Sequence, residues 1–148
     1  MCESGRPDDD KYGIRVRATK NTDAVLQRAN IQQGYTLVIW RGRHVAEPTE
    51  LTDEEAAEYW LDVLTVSRAL IQHYRPLKLN YETLGNSLPH LHTHLVPRYL
   101  KDPTPGRPFP LLPVDGSEPL VPDDQLQSDA EALRSLMNWH PEVDQATR

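Results

Sequence analysis

Three of the six histidines fall within five residues, His90-Leu-His92-Thr-His94. In an extended strand residues i, i+2 and i+4 share one face. Three imidazoles are therefore expected along one wall, with Leu91, Thr93 and Leu95 turned the other way. At a rise of about 3.3 Å per residue, neighbouring rings stand roughly 6–7 Å apart and the outer pair roughly 13 Å. Two chemistries suit such a row. One is metal ligation, since imidazole binds Zn, Cu, Ni and Fe. The other is phosphoryl or nucleotidyl transfer, in which a neutral ring nitrogen attacks phosphorus and neighbouring N–H groups stabilise the developing charge. Nitrogens spread over about 13 Å do not converge on one ion at Zn–N distances of about 2 Å, which weighs against the metal. Crowded imidazoles lower one another's pKa, which keeps a nucleophile unprotonated at neutral pH and predicts that activity falls in acid.

Several elements must hold that row in place. Ile14, Val16 and Ala18 alternate with Arg15, Arg17 and Thr19, the period of a half-buried strand. Asp23 to Leu26 can start a second. Tyr35 to Trp40 is β-branched and aromatic, follows Gly34 and stops before Gly42, so it reads as a third. Thr52 and Glu55 have capping-box spacing, and Asp53 and Glu54 put negative charge in the first turn of a helix. Ala57, Trp60, Leu61, Leu64, Leu70, Ile71 and Tyr74 follow as one apolar face, expected to end before Pro76, with the Trp60 ring in core or dimer packing. Leu77 to Tyr81 reads as a strand, Leu84-Gly85-Asn86 as a turn, and the triad segment up to Pro97 as a further strand. Between Pro97 and Pro122 lie eight of the 13 prolines. That segment is expected to be extended and stiff, wrapping a surface or a partner. Asp129 to Trp139 can form a short closing helix capped by Ser128.

With 148 residues the chain is long enough for one domain. Sixteen Lys and Arg against 22 Asp and Glu give a net charge of -6. An acidic chain lacks the general basic face that nucleic acids and anionic membranes require. Cys2 is the single cysteine, so neither an intrachain disulfide nor a four-cysteine zinc site can form. Met1 to Asp10 is polar, without a secretory apolar core, and no apolar run approaches the ~20 residues that span a bilayer. A soluble, cytoplasmic protein is expected.

The segment His90-Leu-His92-Thr-His94-Leu-Val96 resembles the signature of the histidine triad (HIT) superfamily: His, apolar, His, any residue, His, two apolar residues. Asn80 upstream, the turn Gly85-Asn86-Ser87 and the following Pro97-Arg98 agree with it. So do Gly34-Tyr35-Thr-Leu-Val-Ile, and Arg43-His44-Val45 followed by Leu51-Thr-Asp-Glu-Glu55. The likeness covers roughly residues 25–98.

The resemblance implies an α+β fold, an antiparallel sheet of about five strands backed by helices. It also implies a homodimer that cleaves a phosphorus bond of a purine nucleotide in two steps. His92 would be the nucleophile, its other nitrogen donating to a backbone carbonyl. His94 would contact the phosphate and the leaving group, and His90 and His44 would complete a hydrogen-bonded wall. Asn80, Asn86 and Ser87 would hold phosphate oxygens. Asn86 stands where Gln is usual, and Gln27 where many members bind ribose through Asp or Asn. Cys2 and Gly5 resemble a degraded two-cysteine N-terminus, so no structural zinc is expected. His94, in place of the Gln of the transferase branch, favours hydrolysis. No cofactor is implied, although a polyphosphate substrate can bring Mg. A nucleotide-binding module with little turnover and a His-ligated metal hydrolase are the alternatives.

The organisation expected is a flexible arm over 1–11, the HIT-like domain over 12–100, and a proline-rich extension with a C-terminal helix over 101–148. His73, near a helix end, and His140 are expected to have no catalytic role. Arg41 and Arg43 read as solvated strand-end residues, Arg98 as a phosphate contact or an ion pair, Trp40 as core, and Asp8 to Asp10 as a solvated run.

Overall fold

The structure, a computed structural model, describes residues 7–110 and 117–140. Cys2 and Gly5, and with them the zinc expectation, lie outside the described residues. Five strands, β1 (Gly13–Ala18), β2 (Thr22–Gln27), β3 (Thr36–Trp40), β4 (Lys78–Thr83) and β5 (His92–Arg98), form one antiparallel sheet in the order β1-β2-β3-β5-β4. Two helices, α1 (Asp53–Tyr74) and α2 (Asp123–Leu136), cover one face. The architecture is the α+β sheet with backing helices that the sequence implies.

The sheet's alternation places the core. Ile14, Leu26, Val38, Leu91 and Leu95 point toward the helices, where they meet Val63, Val66 and Leu70 of α1 and Leu126 and Leu133 of α2. Their partners in alternation point to the opposite, front face. That face reads in cross-strand rows: Arg15–Val25–Leu37–His94–Glu82, and beside it Asp23–Ile39–His92.

The capping box of α1 forms as expected. The Thr52 side chain accepts from the Glu55 N–H at 3.2 Å, and Glu55 accepts from the Thr52 N–H at 2.9 Å. Arg75 closes the helix in a left-handed conformation, just before Pro76. The expected apolar face enters the core only in part: Leu70 is buried and Tyr74 packs against the core. Tyr59, Val63, Val66 and Leu70 enter the core, whereas Leu61 is 61% exposed and Trp60, Leu64 and Ile71 are exposed as well. Both stripes are apolar at helical spacing, so periodicity alone could not choose between them.

Three further expectations are corrected. The triad strand begins at His92, and His90 precedes it in the β4–β5 connection. Helix α2 starts at Asp123, well before Ser128, because Pro122 provides its N-cap and Asp123 and Asp124 suit its first turn. Asp8 to Asp10 are not a free run: Asp8 pairs with Arg15, Asp9, although exposed, pairs with Arg28, and the Asp10 carboxylate accepts from the Tyr12 N–H at 2.8 Å.

The proline-rich segment folds back onto the sheet. Arg98 donates to Asp102 at 2.6 Å and to the Arg107 and Thr104 carbonyls, so it is an internal clasp and not a phosphate ligand. Phe109 then inserts against Tyr35 and Val96. Further along, Val121 donates to the Arg28 carbonyl at 2.9 Å, and Leu120 bridges to Ala29. At Gly34 the backbone takes φ +77, and a Cβ would lie 2.7 Å from the Tyr74 ring, so the entry into β3 requires glycine.

Candidate active site

Strand β5 carries His92 and His94 on the front face, while Thr93 and Leu95 are buried behind it. His92 is buried, and its Nδ1 lies 2.7 Å from the His90 carbonyl oxygen. A carbonyl only accepts, so Nδ1 carries the proton and the Nε2 lone pair is the basic one. The backbone thus sets the tautomer that an attacking Nε2 needs.

The His92 and His94 rings lie 4.7 Å apart at 61°, closer than a straight strand would leave them. Burial, with the neighbouring His92 as the lesser cause, pushes the His94 pKa down to about 4. At neutral pH that ring is uncharged. Its Nδ1 is 2.6 Å from the Tyr35 hydroxyl, and its buried Nε2 has no hydrogen-bond partner. The Tyr35 phenol is itself pushed up, chiefly by burial and further by the Glu82 carboxylate, so it stays protonated.

His90 is buried and donates from Nε2 to the Trp40 carbonyl at 2.7 Å. Burial holds its pKa below the ordinary histidine value. The His44 ring is 5.5 Å from that of His90. The four histidines thus form a chain of neighbours: the His44 ring beside that of His90, the His90 carbonyl on His92, and the His92 ring against that of His94.

The nucleotide-contact residues expected from sequence are dispersed. Gln27 lies at the end of β2 and lines a cavity of about 360 Å³ on the front face. Asn80 sits on β4, its amide 3.3 Å from Glu82. Asn86 and Ser87 are exposed in the connection just ahead of the triad.

The cavity begins one strand away from the histidines. Val25, Leu37 and Ile39 supply an apolar wall, and Arg15, Asp23 and Arg41 supply a charged floor in which Arg41 Nε meets Asp23 at 2.7 Å. Arg41 is therefore not a solvated strand end, and Arg43 pairs with Glu55 at 2.9 Å. Asp23 escaped the sequence reading. Its signal is an acid placed among apolar residues of a short strand. Tyr35 and Glu82 escaped it too, because only the β3–β5 and β4–β5 registers bring them to His94.

Trp40 and His73 are structural. Trp40 is core, with its indole N–H donating to the Arg43 carbonyl at 2.8 Å. His73 contacts Asp129 at 2.8 Å across the two helices, and His140 is exposed. Among the described residues, no group of three or more His, Cys, Asp or Glu is arranged to hold a metal ion. No helix among them is long and apolar enough to cross a membrane.

A sheet bearing paired histidines of this geometry, backed by a long capped helix, defines a histidine triad fold. The HIT domain family model matches residues 10–101, and the chain belongs to that family. It is 36% identical over 92 residues to the protein named Hit of Bacillus subtilis, a match spanning 59% of this chain and 63% of that one. It is 29% identical over 86 residues to the bis(5'-adenosyl)-triphosphatase of Saccharomyces cerevisiae, across 55% of this chain and 42% of the yeast enzyme. The match thus spans less than two thirds of either relative. The crystal structure of a histidine triad protein from Bradyrhizobium japonicum superposes with a TM-score of 0.76 at 23% identity, covering 86% of this chain and 92% of that one. At that identity the likeness speaks for the fold.

Proposed function

We propose that the protein is a nucleotide hydrolase cleaving a phosphoanhydride or phosphoramidate bond of a purine nucleotide through a nucleotidyl-His intermediate on His92. The observation that carries this reading is the His92 Nδ1–H bond to the His90 carbonyl at 2.7 Å, which leaves Nε2 as a nucleophile of fixed orientation. In the first step the Nε2 lone pair forms a bond to the α-phosphorus. The bond from phosphorus to the leaving oxygen or nitrogen breaks, and its electron pair departs with the leaving group. In the second, a water oxygen bonds to phosphorus, His92 takes back its electron pair, and the water proton is released. The name of the yeast relative supports a dinucleoside polyphosphate as substrate. With a nucleoside phosphoramidate the leaving nitrogen would take a proton from water as its bond breaks, and the two steps are otherwise the same.

The front-face cavity is the place for the nucleoside. Leu37 and Ile39 would pack on the base, and Gln27 would bond the ribose hydroxyls. Asn80, Asn86, Ser87 and His94 would contact the phosphates, while His90 and His44 would buttress His92. No protein ligand is needed for a metal, since Mg would enter with a polyphosphate. The working form would be a cytoplasmic homodimer. The exposed stripe of Trp60, Leu61, Leu64 and Ile71 and the edge position of β4 support that assembly.

Intact-protein mass spectrometry after an alkaline denaturing quench tests the mechanism, since a P–N bond survives base better than acid. A single nucleotidyl adduct is expected in the wild type and none in His92→Ala. Wild-type turnover by His92→Ala would overturn the reading. Sedimentation equilibrium tests the dimer: twice 16.9 kDa is expected, and a monomer would overturn it.

A further inference from the structure

We propose that Tyr35 is a positioning residue that fixes His94 in the tautomer with hydrogen on Nε2, so that this N–H donates to the leaving-group oxygen. The inference rests on the nucleotidyl-His reading for its chemistry, but its geometry stands on this structure alone.

Two observations converge on it. The Tyr35 hydroxyl and His94 Nδ1 are 2.6 Å apart, and the two rings lie within 4° of parallel. The second is the other nitrogen of the same ring, Nε2, which is buried and unpartnered. Either Tyr35 donates to Nδ1 or Nδ1 donates to Tyr35. His94 Nδ1 is the hydrogen-bond partner the structure gives the Tyr35 hydroxyl. If Nδ1 were the donor, the buried phenol would keep a proton with no acceptor, and Nε2 would be an acceptor with no donor. If Tyr35 donates, one bond is made and one N–H remains for a ligand oxygen. An uncharged His94 suits this arrangement, because only a neutral ring can accept at Nδ1.

The Tyr35 ring is held for this role. Its backbone N–H donates to the Gln32 carbonyl at 3.0 Å, its carbonyl accepts from the Gln27 N–H at 2.9 Å, and its ring packs against Val96 and Phe109. Phe109 belongs to the proline-rich segment beyond the matched HIT domain, so that segment buttresses the tyrosine. Nε2 donates a hydrogen bond and not its proton. Loss of that proton from a neutral ring would leave an imidazolate, and no base of this site could sustain it. Negative charge growing on the departing oxygen is stabilised by the N–H while every proton stays in place.

The test uses the full-length protein and Tyr35→Phe, which keeps the packing ring. Nitrogen-15 NMR of histidine-labelled protein, with His94 assigned by loss of its signals in His94→Gln, reads the tautomer without substrate. The wild type is expected to show hydrogen on Nε2 alone, and Tyr35→Phe a mixture of both forms. Hydrogen on Nδ1 in the wild type, or an unchanged tautomer in Tyr35→Phe, would overturn the proposal.

Kinetics on adenosine 5'-aryl phosphates with phenols of graded acidity read the consequence. Tyr35→Phe is expected to lose on the order of tenfold in kcat with the least acidic phenol, and less than about twofold with the most acidic. KM should hardly move. A uniform loss across the series would mark a merely structural tyrosine and overturn the proposal. If no nucleotidyl adduct forms at His92, the hydrolase reading fails, and the tautomer measurement still decides the role of Tyr35.

Discussion

Two buried tyrosines approach β5 from opposite sides, and their surroundings differ. Tyr59 of α1 reaches the helix-covered face. Its hydroxyl donates to the Val38 carbonyl at 3.2 Å and meets the Thr93 hydroxyl at 2.8 Å, which in turn meets that of Thr83 at 2.9 Å. One direction satisfies the whole chain: Thr83 to Thr93, Thr93 to Tyr59, Tyr59 to Val38. Tyr35 reaches the front face, and its bond to His94 ends on a nitrogen with nothing beyond it. An unpaired buried polar atom is costly, and native structures keep few of them. The rear network closes upon itself and adds stability. The front network stops one bond short, where a ligand would complete it.

The largest test of that division is His92→Ala. It should lower kcat on the order of 10⁴-fold while leaving nucleotide affinity nearly intact, because binding contacts are spread over other residues. Single-turnover kinetics and equilibrium binding check the two halves; equal loss of both would mean that the front face also holds the fold together. Leu95→Ala applies the reverse pressure. Leu95 is fully buried among Val38, Val66 and their neighbours, and its truncation should cost about 2–5 kcal/mol in urea unfolding. The fraction still folded should turn over near the wild-type rate.

The same division explains what could be read from sequence. The triad, the capping box of Thr52 and Glu55, and the strand alternation are local signals set by periods of 2 and 3.6 residues, and they carry to the structure with small shifts in boundary. The partners of those signals are not local. Tyr35 meets His94 across 59 positions, and Glu82 faces it only through the β4–β5 register. Helix α1 shows the limit most plainly, since a chain that is apolar on two stripes does not say which one enters the core. Asp8 and Asp9 read as a solvated run because their arginine partners, Arg15 and Arg28, are fixed by the β1 and β2 fold.

Acid offers a middle-sized test. His94 has an ordinary value of 6.5 in the unfolded chain and about 4 in the folded one. Between those values the unfolded chain binds a proton that the folded chain refuses, so stability falls as pH drops across the window and levels off below it. The loss should be about 1–2 kcal/mol, after allowance for solvent at the ring's exposed edge. His94→Gln should lack this part of the slope. Urea unfolding of both proteins from pH 7 to pH 4 measures it, and equal slopes would show that the front face does not strain the ring's protonation.

The smallest effect makes the sharpest comparison, since it repeats one chemical change on the other side of β5. Tyr59→Phe removes a hydroxyl from the closed network, leaving the Val38 carbonyl without that donor and the Thr93 hydroxyl without that acceptor. The ring still fills its place beside Trp40, with centroids 6.2 Å apart, so no cavity opens. The expected cost is about 1 kcal/mol of stability, with kcat and its leaving-group dependence unchanged. Tyr35→Phe should cost a similar amount, about 1 kcal/mol, because it leaves His94 Nδ1 without its donor, but it should alter turnover as well. Differential scanning calorimetry and the aryl phosphate series, run on both variants, give four numbers. If Tyr59→Phe changes the leaving-group dependence as Tyr35→Phe does, then β5 transmits strain between its faces, and the closed and open networks are one device.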